Sequence, residues 1–181
     1  MKKSTTLIAA CMLAGAAMAS SAVLAADISH APKTLELVDG TANFGDAFKA
    51  GNKGNTFADQ FAFNVTGMSD IDALVSSISP SAANGLAITS LDLYGNNGLV
   101  ASGTQLQTGK TDLWSLNMSN LGAGHYYLRV GGNPVSGASG SFGGNINVSA
   151  VPEPETYGML LGGLGLIGFM SRRRKNAAKA A

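Results

Sequence analysis

Two aspartates set between phenylalanines are the residues of this chain whose types and spacing come nearest to chemistry. Phe44-Gly45-Asp46-Ala47-Phe48 and Phe57-Ala58-Asp59-Gln60-Phe61 repeat one F-x-D-x-F pattern thirteen residues apart. A carboxylate in that setting can accept backbone hydrogen bonds or help hold a cation. In a regular strand Phe57, Asp59 and Phe61 share a face, because side chains alternate with period two. An aspartate buried among phenyl rings needs a partner unless a bulge turns it outward. The favoured reading is a strand with Phe57, Phe61 and Phe63 inward and Asp59 capping a neighbouring turn.

Other reactive patterns are thin. The two histidines, His30 and His125, lie far apart, and His30 falls in a terminus expected to fray. No G-x-S-x-G, H-E-x-x-H or P-loop occurs in the sequence. Asp70-Ile71-Asp72 lacks the further oxygen ligands and the turn glycine of a calcium loop. The remaining aspartates stand at unrelated positions and carry little weight as a glycosidase pair. Residue types alone therefore assign no catalytic residue, no cofactor and no metal ligand.

The elements around these residues read as all-β. Short runs of alternating character are punctuated by Gly, Asn, Ser and Thr, with no sustained helical period. Leu91 and Leu93 alternate with Asp92 before Gly95-Asn96-Asn97-Gly98, which predicts a hairpin with a four-residue loop returning through Leu99–Ser102. Tyr126, Leu128 and Val130 share one face of a strand, with His125, Tyr127 and Arg129 opposite. Trp114, Leu116 and Met118 share a face of the strand before it, and Phe142, Ile146 and Val148 a face of the last. Leu35–Val38, Phe61–Thr66 and "DIDALVSSIS" supply earlier strands. "GGNPVSGASGSFGG" reads as a surface loop before the last strand; no helix follows it, so it is no nucleotide cradle. Seven or eight strands predict an antiparallel β-sandwich over residues 27–150.

Charge separates this body from the two ends. The whole chain carries a formal +1, yet residues 27–150 hold five cations against nine carboxylates. A mildly acidic body without a basic patch argues against nucleic acid as a partner. The N-terminus places Lys2 and Lys3 before an apolar run and small residues, which predicts a secretory signal peptide over residues 1–26, cut by signal peptidase after Ala25 or Ala26. Cys11, the single cysteine, leaves with it, so the exported chain has no disulfide.

The C-terminus pairs prolines with carboxylates in Val151-Pro152-Glu153-Pro154, continues through a Gly/Leu run, and ends in Arg172-Arg173-Arg174-Lys175. The prolines predict a sharp start for a transmembrane helix over 156–170. Its uncharged stretch of 14 residues spans roughly 21 Å, short of the ~30 Å hydrocarbon core. The basic cluster at 172–175 acts as a stop-transfer signal, stays cytoplasmic and snorkels to cover the shortfall. Gly158 and Gly162 form a small-xxx-small pattern, read as small residues suiting entry into a membrane enzyme rather than as a helix-pairing face.

Residues 151–181, in these three parts and in this order, resemble the PEP-CTERM sorting signal. That resemblance implies a substrate of an exosortase, an intramembrane transpeptidase-like enzyme that cuts near Pro-Glu-Pro. It implies a Gram-negative, exopolysaccharide-producing cell and a transient inner-membrane stop with the body periplasmic. The cell surface or extracellular matrix is then the destination. Phe57, Asp59 and Phe61, within "GNTFADQFAFNV", resemble the motif of the FxDxF family of PEP-CTERM proteins. The stretch from Leu91 to Val130 is similar to bacterial pre-peptidase C-terminal domains, which implies a jelly-roll-like β-sandwich and a non-catalytic accessory role. The expected function is structural or adhesive, in contact with extracellular polysaccharide. The alternative is a carbohydrate-binding module that uses Trp114, Tyr126 and Tyr127.

Overall fold

A computed structural model describes residues 25–152 and 154–177. Ten strands run in chain order as β1 (Lys33–Thr34), β2 (Thr41–Phe48), β3 (Phe57–Val65), β4 (Ser69–Ile78), β5 (Leu86–Gly95), β6 (Gly98–Ser102), β7 (Thr104–Gln107), β8 (Thr111–Leu121), β9 (Gly124–Pro134) and β10 (Gly140–Ala150). One helix, α1 (Pro154–Ala177), follows. The strands form two five-stranded sheets, ordered β1-β3-β9-β5-β6 and β2-β10-β4-β8-β7. All pairings are antiparallel except the two-residue β1 beside β3.

The body is thus the β-sandwich that the alternation predicts, with more strands than expected. The longer strands turn one row of side chains, mostly apolar, inward, whereas β1, β6 and β7 are largely exposed. Phe57, Phe61, Phe63 and Val65 do so from β3, Leu91 and Leu93 from β5, Leu128 and Val130 from β9. Ile71 and Val75 from β4, Leu116 from β8, and Phe142 and Ile146 from β10 face them. "DIDALVSSIS" is the strand it was expected to be, in β4 up to Ile78.

Three local expectations are corrected. Leu35–Val38 is no strand: regular pairing ends at Thr34, and only isolated contacts follow, Leu35 N to Ala62 O (2.7 Å) and the Val38–Thr41 bridge. The hairpin loop is tighter than four residues, since Gly95 pairs directly with Gly98 and leaves only Asn96-Asn97 in the turn. Gly98 takes a positive φ of 108°, which a side chain would strain. The glycine-rich segment is not one long loop either. β9 runs through Gly131 and Gly132, and β10 through Gly143 and Gly144, leaving a short connection over 135–139.

Those glycines have a packing reason. Gly132 stands opposite Phe57 in the β3–β9 register, and Gly144 opposite Phe44 in the β2–β10 register. A Cβ at Gly132 would come within 2.5 Å of the Phe57 ring, and one at Gly144 within 2.6 Å of the Phe44 ring. Each ring lies across the bare backbone of its neighbour, which hides backbone that glycine leaves uncovered. Gly132→Ala and Gly144→Ala should each lower stability by about 1–3 kcal/mol in a denaturant titration, as overpacking of a closed core does. The added Cβ also meets a backbone carbonyl, Ala87 O at 2.3 Å or Leu74 O at 2.4 Å, so an unchanged midpoint in either variant would show that backbone and ring both give way at little cost.

The C-terminal helix differs from the expected transmembrane span over 156–170. It starts at Pro154, a first helical position where the missing N–H costs nothing, and runs on through Arg172–Lys175 to Ala177. Among the described residues no helix is long and apolar enough to cross a membrane. Five glycines between 158 and 168 dilute the apolar stretch, and the basic cluster ends it early. The signal-peptide helix expected over 1–26 lies outside the described residues except for Ala25 and Ala26.

Candidate functional site

The inward row of β2 is Phe44, Asp46 and Phe48, and that of β3 is Phe57, Asp59 and Phe61. These strands belong to different sheets and face each other across the sandwich. Phe44 meets Phe61 at a ring-centroid distance of 5.0 Å, and Phe48 meets Phe57 at 4.4 Å. The two segments therefore face each other in opposite directions, with local two-fold character and both aspartates at the centre. Phe142 closes the group, stacked on Phe57 at 5.6 Å and edge-on to Phe61 at 6.1 Å.

No bulge turns Asp59 outward: the β3–β9 register runs unbroken from Phe57 to Val65. Asp59 is 1% exposed, and the partner that its burial demands is the segment before β1. His30 donates its backbone N–H to Asp59 Oδ1 at 2.7 Å, and its ring Nδ1 lies 3.3 Å from Oδ2. Asp59 thus anchors the N-terminal segment instead of capping a turn. His30 is correspondingly held and not frayed, its ring 5.0 Å from that of Phe48. Upstream, Ser29 Oγ accepts the N–H of Ala58, Ile28 N–H reaches Thr56 O, and Thr56 N–H reaches Ala26 O.

Asp46 completes the group. Its Oδ1 pairs with the Lys33 ammonium at 2.5 Å and lies 3.7 Å from His30 Nδ1. Lys33 also donates to Gly45 O and sits 5.9 Å above the Phe61 ring. Asp46 Oδ2 is buried without a hydrogen-bond partner. Burial raises the Asp59 carboxyl above the ordinary aspartate value of 3.8; the His30 hydrogen bonds oppose this, and the Asp46 charge adds to it. His30, Lys33 and the pairing of Asp46 with Asp59 were not singled out by sequence spacing. The repeat of F-x-D-x-F was the available signal, since two such rows placed face to face bring their central residues together.

The other residues named from the sequence lie apart from this cluster. Ala25 and Ala26 are exposed, and Ala26 donates its N–H to Asn55 Oδ1 at 3.1 Å. Val151 is tied to the body by its N–H to Met68 O at 2.9 Å, and Pro152 is exposed. Glu153 lies outside the described residues, Pro154 opens α1, and Arg172–Lys175 lie within it. The aromatics weighed as sugar platforms mostly face inward. Trp114 packs against the core and donates Nε1–H to Ile88 O, and Tyr126 packs there with its hydroxyl on Gly122 O. Tyr127 lies on the outer face, stacked on Tyr94 at 5.1 Å.

The model of the PEP-CTERM protein-sorting motif matches residues 150–175. No curated protein matches the chain. Among the solved structures similar to it are these three. A pre-peptidase C-terminal domain of collagenase from Bacillus anthracis is 18% identical, with a TM-score of 0.39 over 66% of this chain and 96% of its own. PliG of Aeromonas hydrophila, a periplasmic inhibitor of g-type lysozyme, is 7% identical, with a TM-score of 0.45 over 68% of this chain and 100% of its own. The SPBc2 prophage-derived protein YomS is 20% identical, with a TM-score of 0.30 over 60% of this chain and 93% of its own. The chain thus carries a PEP-CTERM sorting motif on a β-sandwich body, and the motif implies export, a membrane-transit step and processing by an exosortase.

Proposed function

We propose that the protein is a structural or adhesive component of the cell surface or exopolysaccharide matrix, delivered by exosortase and without catalysis of its own. The observation that carries this reading is the junction at Val151. The last strand ends at Ala150, Val151 still bonds to Met68, and the sorting motif begins at once. The folded body and the processing signal therefore adjoin without a spacer. Beyond that junction the apolar side chains of α1, among them Met159, Leu161 and Phe169, are exposed. Large apolar side chains exposed along one short segment are suited by an apolar host, which a membrane or an intramembrane enzyme supplies.

The polar groups of the body support the non-catalytic part of this reading, because the most buried of them serve the fold. Asp112 accepts the N–H groups of Ile88 and Gly109, both at 3.2 Å, and Ser77 donates to Leu86 O or Ser141 O at 3.1 and 3.0 Å. The alternation of consecutive strands between the two sheets from β2 to β5 supports a jelly-roll-like topology. The carbohydrate-binding alternative retains only Tyr127 of its three aromatics on the outer face.

Intact-mass analysis of the protein recovered from the envelope and medium of its host tests the delivery step. The expected mass lacks the signal peptide and everything beyond the Pro-Glu-Pro region, and excess mass identifies a group attached on transfer. A mass that keeps Arg172–Lys175 would make the tail an ordinary anchor.

A further inference from the structure

We infer that His30, Asp46 and Asp59 form a binding site for one divalent transition-metal ion of the zinc type, which ties the N-terminal segment to both sheets. Each residue arrives from a different element: His30 precedes β1, Asp46 lies on β2 and Asp59 on β3. One donor atom from each lies within 4.8 Å of the others. Donors held about 2.0–2.1 Å from a tetrahedral ion stand roughly 3.4 Å apart. His30 Nδ1 already lies 3.3 Å from Asp59 Oδ2 and 3.7 Å from Asp46 Oδ1, close to that spacing.

A second observation points to a cation independently of the clustering. The Asp46 side chain is 9% exposed, and its Oδ2 is sealed from solvent with no hydrogen-bond partner. A buried carboxylate oxygen without a donor is costly, and a metal ion is one way to satisfy it. The local charges agree. Two carboxylates face one ammonium, Lys33, so with a neutral imidazole the group carries one net negative charge. An imidazole with two carboxylates suits zinc-like ions better than calcium, which takes six to eight oxygen ligands. Three protein donors leave the fourth position to water at the half-exposed His30 side.

Lys33 gives the site a distinctive competitor. Its ammonium occupies Asp46 Oδ1, so metal and Lys33 draw on the same carboxylate. The test uses the mature protein, purified in detergent without a histidine tag, stripped with EDTA and titrated with zinc chloride under equilibrium dialysis. The wild type is expected to bind one zinc per chain, with excess calcium failing to displace it. His30→Ala and Asp46→Asn should each weaken binding by roughly tenfold or more, whereas Lys33→Met should tighten it. Circular dichroism checks that each variant is folded, and His30→Ala, which truncates a partly exposed ring, decides the matter if Asp46→Asn is not. The inference is overturned if the wild type binds no stoichiometric zinc, if folded His30→Ala keeps wild-type affinity, or if Lys33→Met binds no tighter.

Discussion

Replacing Phe61 by alanine is expected to lower the stability of the body by about 3–5 kcal/mol, a large part of the 5–15 kcal/mol that typically holds a domain folded. Phe61 is 1% exposed and lies where the two F-x-D-x-F rows meet. Its ring packs on Phe44 and lies nearly perpendicular to Phe142, while Lys33 lies over its face. Truncation removes the transfer free energy of the ring and leaves a cavity bounded by both sheets, which cannot close without shifting β2 against β3. Phe61→Leu keeps much of the volume and should cost markedly less. Urea titrations of the two variants check this; equal midpoints would mean that the site collapses around alanine.

Asp59→Ala should be the most damaging polar substitution at the cluster, at about 2–4 kcal/mol. It removes the acceptor of the His30 N–H and of the His30 ring, and so releases the segment before β1. Part of that loss is offset, because a buried charge close to Asp46 also disappears. Asp59→Asn retains an acceptor and should cost less. Faster amide exchange of His30 in the alanine variant, with β9 and β5 still protected, would locate the effect at this anchor.

The same carboxyl gives a pH signature in metal-free protein. Burial first, and the Asp46 charge with it, raise the folded-state pKa of Asp59 above 3.8, against the His30 hydrogen bonds. The folded state then holds the proton more tightly than the unfolded chain. This contribution to stability is fully present below the ordinary aspartate value and is lost as pH rises through the raised one. Wild type should therefore gain stability relative to Asp59→Asn as pH falls from neutrality into that window. His30 and Asp46 act on the same carboxyl in opposite senses, His30 lowering its pKa and Asp46 raising it. A stability difference that stays flat with pH would contradict this account.

By itself the sequence determined what is local. Side chains alternate in a strand whatever lies beyond it, so Phe57, Asp59, Phe61 and Phe63 were bound to share a face, and Asp59 to need a partner. The sorting segment was legible for a related reason: its prolines, glycines and basic residues act in chain order, with no fold to bring them together. Tertiary structure alone decided which faces meet. Alternation says that a row points inward and is silent on the row opposite, so the apposition of Asp46 with Asp59 depended on β2 and β3 entering different sheets. His30 and Lys33 joined them only because the N-terminal segment runs along β3, a pairing no local signal encodes. The glycines of β9 and β10 read as loop because glycine weakens an isolated strand, yet only bare backbone admits the rings of Phe57 and Phe44 at those positions. Contacts between residues distant in sequence supplied everything that period and spacing left open.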